Sequence, residues 1–184
     1  YGFREMTTDI DAVLPSVSIM KDAINHIGDR FGLPNGWLNA DFTHTESYSR
    51  RIGEFSKPYR TFSQVLNVRI VDGEYLIAMK LRSGRKYKND LSDVVGILAE
   101  HARNGKPIDY GQIDVAVQNL YGGWNGFSQD AVSFLRDILR EQQYLTIYDS
   151  IRQGEIQAKE ILLDFQQAYP GLMKEDNVDG ILEA

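Results

Sequence analysis

Asp9 and Asp11 lie two positions apart in the stretch "TTDIDAVL". Ile10, Ala12 and Leu14 alternate with Asp9, Asp11 and Val13, so an extended chain puts both carboxylates on one face. Two strand positions span about 6.6 Å. At an effective dielectric of about 20, two like charges at that separation repel by roughly 2.5 kcal/mol. Stability gives no reason for such a pair. Either both acids are solvated on an edge strand, or they hold a cation. Mg²⁺ is a hard ion that takes oxygen ligands and often shares them with substrate phosphates; with Mn²⁺ as its substitute, it would turn the repulsion into attraction.

A second set of charges follows. Lys80 is the only charge in the apolar run "YLIAMKL". A lone buried ammonium is costly, so Lys80 either snorkels to water or faces a negative group. Arg85 belongs to a basic cluster with Lys80, Arg82, Lys86 and Lys88. Asp90 and Asp93 then stand three apart at a predicted helix start, on one face and favoured by the helix dipole. For Asp93 the dipole alone is explanation enough.

These residues need elements to hold them. Residues 9–14 read as a strand. Ser16 is a predicted N-cap for a helix over 17–31, with Met20, Ala23, Ile24, Ile27 and Phe31 at helical spacing. "GLPNGWLN" reads as a turn-rich loop anchored by Trp37 and Leu38, and residues 40–60 as loop with a short helix. The β-branched run over 62–71 closes on Asp72-Gly73 and predicts a second strand. Helices are predicted from Glu74, from near Asn89, from Tyr110 or Gln112, after a Ser128 cap, and along a stripe of Ile156, Leu162, Leu163, Phe165 and Tyr169. "GGWNG" lacks the lysine and hydroxyl of a phosphate-binding loop. Strands early and helices late predict an α/β core followed by a helical region.

Composition narrows the classes. The chain has 184 residues, of which 42% are hydrophobic and 25% charged, as in an ordinary globular protein. It has no cysteine, which excludes disulfides and thiolate metal sites, and His26, His44 and His101 have no metal-ligand spacing. No membrane-length apolar run or signal peptide is visible, so a cytoplasmic protein with no membrane partner is expected. The net charge of −6 argues against indiscriminate nucleic-acid binding. Residues 1–129 carry 15 basic and 15 acidic groups, and residues 130–184 carry 5 and 11, so the whole excess is C-terminal.

The ordered set "TTDIDAVL", "GLPNGWLN" and "YLIAMKLRSGRKYKNDLSDVVGIL" resembles nucleotidyltransferase-fold proteins related to bacterial abortive-infection toxins. The resemblance spans roughly residues 3–100. It implies a mixed α/β (α+β) core over residues 1–105, with helices flanking the sheet, then a helical region over 106–184. In that core, residues 9–14 and 62–71 would be neighbouring strands of one mixed sheet. It further implies that Asp9 and Asp11 bind Mg²⁺ or Mn²⁺, that Lys80 and Arg85 bind the NTP phosphates, and that Asp90 completes the catalytic set. A glycine motif that would hold phosphates is expected upstream of Tyr1.

The activity implied is Mg²⁺-dependent transfer of a nucleoside monophosphate from an NTP to a hydroxyl on RNA, a tRNA end, a protein or a small molecule. A toxin–antitoxin role would supply a cognate antitoxin as partner. The alternative is a nucleotidyltransferase-fold binding or antitoxin-like module without catalysis, its acidic C-terminal third serving as the partner surface. A third reading is a metal-binding helical protein with no enzymatic function.

Overall fold

The first strand is completed by a partner that the sequence pattern conceals. Strand β1 (Ile10–Asp11) pairs in parallel with β2 (Leu38–Asn39). The connection between them runs through helix α1 (Ser18–Phe31), as parallel pairing requires a crossover. Trp37 fixes this unit. Its indole N–H donates to the Ile24 carbonyl at 3.1 Å, and its ring lies where a Cβ on Gly28 would come within 3.2 Å. Trp37 therefore anchors the loop to α1 rather than to the main core, and a side chain at position 28 would press on its ring. The structure, a computed structural model, describes residues 3, 9–15, 18–85, 89–174 and 177–183. Ser16, Lys86 and Lys88 lie outside them.

The single mixed sheet does not form among the described residues. Strands β3 (Lys57–Phe62) and β4 (Leu66–Ile70) make a separate antiparallel hairpin, and neither pairs with β1 or β2. The expected partnership of residues 9–14 with 62–71 is thus corrected, and with it the sheet implied by the resemblance. The physical reason is the turn at Ser63 and Gln64, both at positive φ, which folds β4 straight back on the strand before it. Residues 40–60, read as loop with a short helix, contain two short 3₁₀ turns, Asp41–His44 and Arg50–Gly53, and the first residues of β3. Asp72 sits at the N-cap position of the next helix and pairs with Lys57.

Helices build the rest. Helix α2 (Gly73–Ser83) ends where Gly84 takes a left-handed conformation and its N–H donates to the Lys80 carbonyl at 2.8 Å. The chain reverses there into α3 (Asp90–Arg103), which is buried on most sides. Helix α4 (Tyr110–Tyr121) begins with an Asp109–Gln112 capping box. Ser128 caps α5 (Gln129–Glu141) through a bond from the Ala131 N–H at 3.1 Å. Helices α6 (Tyr144–Ala168) and α7 (Val178–Leu182) follow. Ile77 and Leu81 of α2, Val94 and Leu98 of α3, Val117 of α4 and Leu135 of α5 belong to one buried cluster, so helices on both sides of residue 105 share a core.

Of the stripe expected on α6, only Leu162 is buried; Ile156, Leu163 and Tyr169 are about half exposed. The inward face of α6 runs through Tyr148, Ile151, Glu155, Leu162 and Phe165. Ile156 and Leu163 each follow a buried residue by about 100° of turn and so point away from that face, and Tyr169 lies past the helix end. Replacing the fully buried Leu135 by Ala is expected to cost ~2–5 kcal/mol in urea unfolding of the whole chain. Leu163→Ala on the outer face should change it by under ~0.5 kcal/mol. Equal losses would show that Leu163 is part of the core.

Candidate functional site

The turn at Gly84 determines the site's inner wall. It brings the last turn of α2 alongside the first turn of α3, so residues ten apart in sequence meet. The Lys80 ammonium lies 3.1 Å from Asp90 Oδ1 and 2.9 Å from Asp93 Oδ2. Arg85 donates to the other Asp90 oxygen from Nε at 2.9 Å and from its backbone N–H at 3.3 Å. Asp90 is 1% exposed and Asp93 5%. The side chain of Lys80 is 35% exposed, and two buried carboxylates grip its ammonium.

The titration of these groups follows from the geometry. Burial by itself depresses Lys80, but the charges and hydrogen bonds of Asp93 and Asp90 outweigh it and leave the ammonium pKa raised. Burial would raise Asp90, but the Arg85 hydrogen bond and the Lys80 and Arg85 charges outweigh it and hold the carboxyl below its ordinary value. With both oxygens occupied and almost no exposure, Asp90 acts through Lys80 and Arg85 rather than by touching a ligand itself.

The outer wall is β1. Backbone bonds from Ile10 N to Trp37 O at 2.7 Å and from Ala12 N to Asn39 O at 2.9 Å hold it to β2. Asp9 and Asp11 are both exposed. Ile10 of the strand and Val13 beyond it are more than half exposed. Asp11 feels the charges of Lys80 and Arg85. Its carboxyl pKa is raised, first by burial and then by Asp9 and Asp41; Lys80 and Arg85 offset this only in part. Lys80 and Arg85 are balanced by Asp90 and Asp93. The carboxylates of Asp9 and Asp41 both act on that of Asp11.

A pair of carboxylates suits a divalent cation. Among the described residues no group of three or more His, Asp or Glu side chains converges to hold a metal ion. Asp9 and Asp11 offer a pair of carboxylates, which fits an ion completed by water and substrate phosphates. A cavity of about 500 Å³ lies elsewhere, lined by Phe3, Gly96, Ala99 and Tyr144 among others, and none of these charged residues lines it.

Three participants were not singled out from sequence for this site. Asp93 was read as helix-terminus charge, although its spacing from Asp90 was visible. Asp41 follows β2, a strand the pattern did not reveal. Glu155 of α6 accepts bonds from Ser92 N at 3.1 Å and Ser92 Oγ at 2.6 Å from 63 positions away, and no local signal foretells it. Comparison with known proteins found no matching family model, no similar curated protein and no similar solved structure. Among the described residues, no helix is long and apolar enough to cross a membrane.

Removing one member of a buried ion network leaves an uncompensated charge, so Asp90→Asn is expected to lower stability by ~3–5 kcal/mol near neutrality. The pH dependence has a definite sign. A lowered carboxyl pKa stabilises the fold above its ordinary value of 3.8, and this is lost as pH falls through the lowered value. A raised ammonium pKa stabilises the fold below its ordinary 10.5, and this is lost as pH rises through the raised value. In urea unfolding across pH, the gap between wild type and Asp90→Asn should therefore shrink only below about pH 4 on the acid side. A gap independent of pH down to 2 would rule out the ionised Asp90 as its source.

Proposed function

We propose that this chain carries a Mg²⁺-dependent nucleotidyl-transfer site, formed by Asp9 and Asp11 on one wall and by Lys80 and Arg85 on the other. The observation that carries the reading is the Lys80 ammonium, gripped by two buried carboxylates with Asp11 in its field. An ammonium has three donors. Asp90 and Asp93 take two, and the third would serve a phosphate oxygen. The raised pKa keeps that donor charged. Arg85 uses Nε on Asp90, which orients its two terminal nitrogens as further donors.

Asp9 and Asp11 would hold the ion, which supplies charge neutralisation at the phosphate oxygens and lowers the pKa of an attacking hydroxyl. In the transfer, the acceptor oxygen bonds to the α-phosphorus as the bridging bond to the β-phosphate breaks. Pyrophosphate leaves and the hydroxyl proton passes to solvent. The acceptor classes are those with a free hydroxyl: an RNA or tRNA end, a protein side chain or a small molecule. In a toxin–antitoxin setting the cognate antitoxin would be the protein partner.

Two observations favour a second reading, a non-catalytic binding or antitoxin-like module. The β1–β2 and β3–β4 pairs stand in separate sheets, and the charges of Lys80 and Arg85 are already balanced by Asp90 and Asp93. Titration calorimetry with Mg²⁺ and each NTP decides whether the acid pair binds. Asp11→Asn should weaken binding of the metal–nucleotide pair, and equal binding would remove Asp9 and Asp11 from the metal site. Transfer is tested with radiolabelled NTPs, total RNA and lysate. Lys80→Ala should lower labelling by ~10²–10³. Wild-type labelling that survives Lys80→Ala unchanged would overturn the assignment, and nucleotide binding with no transfer at all would favour the module.

A further inference from the structure

Helix α3 lacks a cap of its own. Asn89 stands at the N-cap position, but its side chain makes no capping bond. The acids of the first turn, Asp90 and Asp93, are turned to Lys80. The first amides of a helix have no intrahelical acceptor and need one from elsewhere. At Ser92 it comes from α6. Glu155 Oε1 accepts from the Ser92 amide at 3.1 Å, and Oε2 accepts from the Ser92 hydroxyl at 2.6 Å. Arg152, three residues earlier on the same helix, bonds Asn89 Oδ1 and approaches Glu155 Oε2 at 3.4 Å. Glu155 is 4% exposed, and its pKa is raised by burial, which the bonds from Ser92 and Arg152 offset only in part.

Ser92 lies between Asp90 and Asp93. Whatever fixes its main chain fixes the directions of the two carboxylates that grip Lys80. We propose that Glu155 is a positioning residue: it caps α3 from α6 and so sets the geometry of the Asp90–Lys80–Asp93 clamp. Helix α6 is then a working part of the site and not an appendage to it. As a statement about catalysis this rests on the nucleotidyl-transfer reading; as a statement about Lys80 it stands alone. A carboxylate holding two donors on one serine gives a helix start much less freedom than the single neutral cap that Asn89 could offer.

The test reads Lys80 directly, by competitive acylation of the full-length chain and mass spectrometry, with the exposed Lys21 as internal reference. In Glu155→Ala the labelling of Lys80 relative to Lys21 should rise roughly tenfold, the change expected when a charge-assisted clamp loosens. Glu155→Gln keeps an oxygen for the Ser92 amide and should stay within about twofold of wild type. Leu162→Ala removes buried bulk from the same helix without touching the cap, and should leave the ratio unchanged. If Glu155→Ala does not fold, Ser92→Ala removes the hydroxyl arm alone and should raise the ratio by a smaller amount. An unchanged ratio in a folded Glu155→Ala or Ser92→Ala chain, or an equal rise in Leu162→Ala, would overturn the proposal. A loosened Lys80 in a protein whose wild type transfers no nucleotide would leave the positioning role standing and sink the nucleotidyl-transfer reading instead.

Discussion

Two carboxylates with almost no access to water share one ammonium, and the fold between residues 73 and 103 is arranged around that fact. Asp90 could not be ionised in the core without Lys80 and Arg85, because an isolated buried charge costs several kcal/mol even after relaxation. Lys80 in turn could not sit in an apolar helix face without Asp90 and Asp93. The network narrows the ways α2 and α3 can pack. A shift of one helical residue would break both ion pairs, whereas the apolar contacts alone would tolerate some repacking. Gly84 makes the arrangement reachable, since its left-handed conformation ends α2 where Asp90 can return to Lys80.

The same network gives the site its electrical asymmetry. The inner wall is neutral in sum and held rigid by hydrogen bonds. The outer wall holds Asp11 on the two-residue strand and Asp9 just ahead of it, both exposed. On the proposed reading, the metal belongs to the acid pair and the nucleotide phosphates to Lys80 and Arg85.

Much of this inner wall could be read from the sequence. A lysine interrupting "YLIAMKL" signals a buried partner on physical grounds, and glycine after "KLRS" followed by "NDLSD" marks one helix ending and another beginning. The Ser128 cap was legible for the same reason: its chemistry is local. The sheets were not. Strand β2 is two residues long in a stretch of Gly, Pro and Asn, too short for any period to show. The hairpin turn uses Ser63 and Gln64 at positive φ, where Asn-Gly is the usual signal, so β3 went unseen and β4 was assigned the wrong neighbour. Glu155 is a different kind of omission, since its partner is fixed only by tertiary packing.

That separation has a consequence in time. Ser92 is made 63 residues before the carboxylate that caps it, and synthesis at about 5–20 residues per second puts roughly 3–13 s between them. During that interval α2 and α3 can meet, because their contacts are close in sequence and close quickly. The start of α3 must meanwhile find its acceptor in water. Only when α6 has emerged and docked does the wall reach its final form. A nascent chain thus passes through a stage with its ion network assembled and its helix start still open.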